Sequence, residues 1–225
     1  MILHEGAGNM ADVGSRMAEL WRGAGALAGR EPWLVGGAVA LLSISGFVAD
    51  NLGRGGTMAS AVAQLAVQWG LLRHVALREQ WVAESGRTGG IVALFGQQFL
   101  TTLGMMLGLV LLVVPGLYVA ARWSAASAIV IAEDLRVTDA IGESWRRTQG
   151  WALPVAILLC LLFAPFVLLI GGIIALSDVD ASETMVELAM TNVVIALATV
   201  AAWYVGLAVY ARTRAPQEAL EQVFA

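Results

Sequence analysis

Nucleophilic catalysis needs a serine or cysteine beside a base, and this chain offers few bases. Its two histidines are His4, in the amino-terminal segment, and His74, which follows Arg73 at the end of an apolar run. His74 reads as an interfacial polar residue. Cys160 is the single cysteine and lies in "AILLCLLFAP", where a small, buried apolar role is expected. There is no HExxH and no cysteine pair, so no metal site is expected. Glu133 and Asp134 are adjacent, hence about 100° apart on a helix, which separates them as an acid–base pair. They read as the end of a helix. The glycine-rich "NLGRGGTM" and "SGRTGG" lack the lysine and the strand–helix setting of a phosphate loop. The expectation is a chain without enzymatic activity, cofactor or metal.

Polar residues in otherwise apolar stretches carry more. Gln64 and Gln68 stand one helical turn apart, and Gln97, Gln98, Thr101 and Thr102 cluster further on. Amides and hydroxyls at membrane depth seek partners on neighbouring helices, at about 0.6 kcal/mol per hydrogen bond. They serve as interhelical glue or line a polar cavity. Arg122 is the only charge between Ile91 and Ala132. It either snorkels towards the interface or turns inward as an anion-attracting charge. Trp145, Arg146 and Arg147 fall where anionic headgroups would lie, with about 1 kcal/mol per arginine near such a surface. The bland reading of the two arginines is that they enforce topology.

The elements that must position these residues are hydrophobic. Apolar residues make up 59% of the chain, charged residues 13%, and the mean hydropathy is +0.76. A soluble domain carries about 25% charged residues, so this chain lacks the means to cover its apolar surface and belongs in a bilayer. All thirteen basic residues are arginine, and they form no stripe for nucleic acid.

A crossing helix needs about 20 apolar residues. Six are expected, over 33–48, 57–72, 91–114, 117–132, 151–176 and 185–210. The 42 residues from Ile91 to Ala132 would make one helix of about 63 Å, roughly twice the hydrocarbon thickness. The run must fold back, and Pro115–Gly116 is the expected break. Residues 1–31 read as a tail and an interfacial helix, with Val13, Met17, Leu20, Trp21 and Ala24 on one face. No secretory signal is expected there. Residues 32–214 form the membrane domain and 215–225 a cytoplasmic tail. In the fourth loop Val137, Ile141 and Trp145 share a face of a short helix, with Thr138 as its expected N-cap. Eleven of the thirteen arginines lie in the terminal segments and the even loops, which places both termini in the cytoplasm.

The order PG, an arginine six residues on, an acidic pair and then "DAIGESWRRTQGW" resembles the membrane domain of bacterial glycerophosphoryl diester phosphodiesterases and the related YciC-like integral membrane proteins. The matching positions are Pro115, Gly116, Tyr118, Arg122, Ala140, Ser144, Trp145, Thr148 and Gly150. The resemblance implies a six-helix protein of the bacterial inner membrane. The soluble phosphodiesterase domain of some relatives has no counterpart here, so that activity is not expected. The expected fold is an all-α integral membrane bundle of six transmembrane helices, with an amphipathic N-terminal helix and a short amphipathic cytoplasmic helix. The expected role is lipid or partner-protein binding in envelope or lipid homeostasis, with membrane lipids and a membrane protein or second copy as partners. The alternative is a small permease with a polar cavity between helices two, three and four.

Overall fold

The computed structural model describes the backbone of residues 2–82, 89–111, 113–176 and 184–224; side chains 2–11, 54, 109–111, 113, 173–176 and 215–224 stand outside that description. The regular structure of the described residues is helical: α1 (Ile2–Gly29), α2 (Pro32–Leu52), α3 (Arg54–Arg78), α4 (Ile91–Leu111), α5 (Val113–Arg122), α6 (Ala126–Glu133), α7 (Val137–Arg147), α8 (Ala152–Leu176) and α9 (Met185–Phe224). Arg87, the acidic stretch 177–183 and the side chains of His4 and Arg54 lie outside the described residues. Among the described residues, five stretches are long and apolar enough to cross a membrane: Pro32–Leu52, Ile91–Gly108, Val114–Glu133, Ala152–Gly172 and Met185–Arg214. The expected span 57–72 lies in α3, which has the length but falls short of the apolarity.

α2 has Pro32 in its first turn, where the missing N–H loses no hydrogen bond. Its 21 residues extend about 32 Å. Gly53 then turns the chain with φ +62°, a conformation that favours glycine. Gly56 packs so closely on the preceding helix that a Cβ would lie 2.6 Å from the Ala49 Cα. α3 therefore returns along α2 from end to end. At the far end Glu31 takes His74 Nε2 at 2.7 Å and Arg78 Nη1 at 2.6 Å, and Arg30 pairs with Glu79.

The long apolar run does fold back, but not at Pro115–Gly116. Those residues lie inside α5, and the chain folds back between Gly108 and Gly116, with Leu112 outside the described residues. Proline is tolerated in the first turn of a helix, so Pro115 helps to begin α5. Gly116 serves a different end: a Cβ on Gly108 would meet its Cα at 2.7 Å, so glycine faces glycine where the arms cross. Lower down, Gly104 lies under the Trp123 ring. The expected helix 117–132 is also two helices, broken at Trp123–Ala125.

One end of the bundle collects the arginine-bearing segments. Arg212 Nη1 reaches Glu19 Oε1 at 2.9 Å, and Arg16 donates to the Gly150 carbonyl at 2.9 Å while covering Trp151. α1 thus meets the last turns of α9 at the same end. Its apolar face is not turned to a leaflet as expected: Leu20 and Ala24 are buried and Met17 packs on the core, with Trp21 exposed. Towards the opposite end Asn192 of α9 donates to Asp50 of α2 at 2.7 Å. α9 continues to Phe224, so the tail expected over 215–225 is helical over 215–224. Cys160, expected to be buried, faces outward on α8. An apolar outer surface suits a small thiol as well as a core does.

The close approaches give a stability test. Gly108→Ala and Gly206→Ala, whose Cβ would meet Gly116 Cα at 2.7 Å and Ser124 O at 2.5 Å, should each lose roughly 1–3 kcal/mol, read as a lower melting temperature in detergent. Gly37→Ala, with open space around it, should be neutral or slightly stabilising. Equal melting of all three would contradict this packing.

Candidate functional site

Between α3, α4, the α5–α6 break, α8 and α9 lies a half-open cavity of about 310 Å³. Gln64, Gln68 and Leu72 of α3 line one wall, and Gln97, Gln98, Thr101 and Met105 of α4 the next. The break at Trp123 and Ser124, Ser127 of α6, Phe163 of α8 and Thr199 and Trp203 of α9 complete it. The helices place these residues simply: 64, 68 and 72 repeat every four residues, as do 97, 101 and 105, so each set shares a face. Gln98 Nε2 donates to Gln68 Oε1. Gln97 Nε2 donates to Thr101 Oγ1 at 2.8 Å, and Ser127 Oγ donates to Gln97 Oε1 at 2.9 Å. Gln68 and Gln97 are buried, as amides at this depth must be if they are to find partners.

A second hollow, also of about 310 Å³, lies on the outer side of the α3–α4 seam. Gln64, Gln68 and Gln98 line it as well, together with Thr102, Phe95 and Phe99. Five of the six residues assigned from sequence to a polar cavity thus line the inner space, and Thr102 faces the outer one. The lining residues are uncharged.

Arg122 is elsewhere. It ends α5 and is 4% exposed, between Trp145, whose ring lies 4.6 Å from the guanidinium, and Tyr118 at 5.8 Å. Its Nε has no hydrogen-bond partner, and no carboxylate among the described residues lies within ion-pair distance. The aromatic faces hold the cation instead. Its main chain matters as much. At the break Ala126 N bonds the Trp123 carbonyl at 3.0 Å, so the Arg122 carbonyl loses the donor a continuous helix would supply. Ser144 Oγ donates to it at 2.9 Å, and Thr148 Oγ1 lies 3.0 Å from it and 2.7 Å from the Ser144 carbonyl, sharing its one hydrogen between the two. These hydroxyls are four apart on one side of α7, running just past its end.

Below this corner is a charge cluster. Arg147, read from sequence as a headgroup contact, has a side chain 6% exposed. It grips Glu133 with both Nη atoms, at 2.6 and 2.9 Å, and gives Nε to Glu143 at 2.6 Å. It is turned inward and neutralised. Arg146 is more exposed and bonds Glu143 at 2.5 and 2.9 Å. The hydrogen bonds from Arg146, with those from Arg147, hold the Glu143 carboxyl at about 2 against the opposing effect of burial. Burial alone would lower the Arg147 pKa, but the two carboxylates outweigh it and leave it raised. α7 begins at Val137 after Arg136 rather than at a Thr138 cap, and no side-chain bond caps it.

The sequence reading left out Ser124, Ser127, Thr199 and Trp203 as cavity residues, and Ser144 and Thr148 as caps. A signal was present for some. Thr199 is an isolated hydroxyl within the apolar stretch from Val193 to Val205, and 144 and 148 are hydroxyls at helical spacing. No family model, curated protein or solved structure matches this chain.

The charge cluster predicts a pH dependence. Glu143 has its folded pKa depressed, so its contribution is full above the ordinary value of 4.5 and is lost as pH falls through about 2. Glu143→Gln should lower stability by roughly 1–3 kcal/mol near neutrality. The gap in melting temperature from the unaltered protein should narrow as pH drops from about 4.5 towards about 2. A gap constant with pH would refute this role for Glu143.

Proposed function

We propose that the chain is a non-enzymatic six-pass membrane protein that holds a membrane amphiphile inside its bundle and serves envelope or lipid homeostasis. The observation that carries this reading is the amide- and hydroxyl-lined cavity between α3, α4 and the α5–α6 break. A hollow of 300 Å³ or more with a few convergent polar groups is the usual form of a small-molecule site. Its lining offers hydrogen bonds but no group poised for proton transfer near neutral pH, which favours binding over catalysis.

Parity supports six passes in this reading. Glu19 and Arg212 meet, so the segments that flank the spans lie at one end and the number of crossings is even. Five apolar stretches leave one crossing to be found, and α3, antiparallel to α2 over its whole length, supplies it. The arginines at this end favour the cytoplasmic side of a bacterial inner membrane for both termini. Trp33, beside His74, fits an aromatic belt at that level.

Five of the residues that carry the resemblance to the phosphodiesterase membrane domains are neighbours in space. Tyr118, Arg122, Ser144, Trp145 and Thr148 meet in one corner, where they seal the break in the α5–α6 arm. In this reading the pattern preserves the break and the cavity beside it, and phosphodiester chemistry is no part of it. A permease is the second reading, favoured by the polarity of the same cavity.

Two measurements test the proposal. With Cys160 replaced, cysteines at Gly55 and Gln149 should be modified by an impermeant thiol reagent from opposite sides of the membrane. Modification from the same side would remove α3 as a crossing. Mass spectrometry of the gently purified protein should show retained lipid at near-stoichiometric amount, and stripping that lipid should lower the melting temperature. Lipid-free protein of unchanged stability would defeat the binding reading.

A further inference from the structure

The inner cavity and the outer hollow share three residues, Gln64, Gln68 and Gln98, and one hydrogen bond, from Gln98 to Gln68, spans the seam between them. We propose that this amide pair is the latch of a lateral portal between α3 and α4, through which an uncharged, hydroxyl-bearing lipid of the diacylglycerol class seats its head in the cavity. The inference rests on the binding reading above and adds the entrance, the latch and the ligand class.

The two faces of the seam differ in the way such a lipid does. Outside, Phe95 and Phe99 are stacked with ring centres 6.5 Å apart and are 58% and 60% exposed, an apolar landing for an acyl chain. Inside, the 310 Å³ would hold about ten waters, room for a head of glycerol size. The seam opens on the flank of the helices, where lipid is the neighbouring solvent.

The chemistry of the lining selects the head. One bond between two side-chain amides uses one donor and one acceptor, and each amide carries two donors and two acceptor positions. Gln68 keeps its Nε2 donors and Gln98 its Oε1 acceptor for a hydroxyl that inserts between them. A phosphate head would bring a charge into a space whose lining supplies no counter-charge, at a cost the amides do not meet. Arg122, the nearest candidate from sequence, is committed to Trp145 and Tyr118 and is not part of the lining.

The experiment uses the full chain in phosphatidylcholine nanodiscs with a photoreactive diacylglycerol bearing a diazirine close to the glycerol. Cross-links should map to 61–68 and 95–102. Unlabelled diacylglycerol should compete, whereas phosphatidic acid with the same chains, or free glycerol, should not at equal concentration. Gln68→Leu with Gln98→Leu should reduce labelling about tenfold. Should that pair not fold, Gln64→Leu, at an exposed position on the portal rim, should reduce labelling several-fold at unchanged melting temperature. Equal competition by phosphatidic acid would overturn the selectivity, and competition by glycerol would indicate a path for small polar solutes. Cross-links confined to 118–123 and 141–147 would leave lipid binding in place and remove the portal. No specific labelling anywhere, with no co-purified lipid, would remove both.

Discussion

The carbonyl of Arg122 is the point on which the architecture turns. A helix broken inside a membrane protein leaves a main-chain acceptor without its donor, and hydrocarbon offers no replacement. Left unmade, that bond would cost about 1–3 kcal/mol. Here Ser144 and Thr148 both reach the orphan carbonyl, which docks α7 against the break. The same residue places its guanidinium under the Trp145 ring of the same helix. Main chain and side chain of one arginine thus fix α7 twice. The consequences spread from there. The bend turns Trp123, Ser124 and Ser127 towards α4 and α9, where they form part of the cavity wall. It also sends α6 into the centre of the bundle, where Ala128 to Ala132 are almost wholly buried.

Polarity and crossing compete for the same residues in α3. A helix that lined its inner face with leucine would be as apolar as α8 and would leave no polar cavity. α3 instead carries Gln64 and Gln68 inward and has Arg73 and His74 near its end. Its apolarity falls accordingly below that of the five stretches long and apolar enough to cross a membrane. The neighbours compensate: α2 covers it along its length, and Gln98 satisfies Gln68 across the seam. In the six-pass reading proposed above, α3 is a marginal span stabilised by the bundle more than by lipid.

Much of this was legible in the sequence because periodicity and composition are strong signals. The apolar runs marked where most helices begin to within a few residues, though α3 and α9 run on past the expected ends to Arg78 and Phe224, and four-residue repeats put the amides on common faces. The Pro115–Gly116 turn was misplaced because proline stops a preceding helix and starts a following one with equal ease; only the crossing of Gly108 over Gly116 distinguishes the two. Arg147 was misread for a related reason. Its spacing from Glu143 was visible, but Glu133 is brought to it by the αL turn at Asp134, where φ is +50°. The break at Trp123–Ala125 left no mark at all, since nothing in "RWSAAS" forbids a helix. Its cause lies in the partners: Gly206 of α9 presses against the Ser124 carbonyl, and α7 supplies the hydroxyls.

The division of charge gives the arrangement its logic. Arg147 has two carboxylates, Arg122 has two aromatic faces, and Glu31 has His74 and Arg78. These groups settle their electrostatics around the arginine-rich end. The cavity is therefore free to be neutral, and a neutral space lined with amides differs in kind from a charged one. Under the binding reading proposed above, it would bind by hydrogen-bond exchange, one amide partner replaced by a ligand hydroxyl, with little net change in electrostatic energy. Affinity from such exchange is modest by nature, so occupancy must come from the high local concentration of a ligand that already resides in the membrane. A site of this type is suited to a membrane-resident ligand and poorly suited to capturing a scarce solute from water.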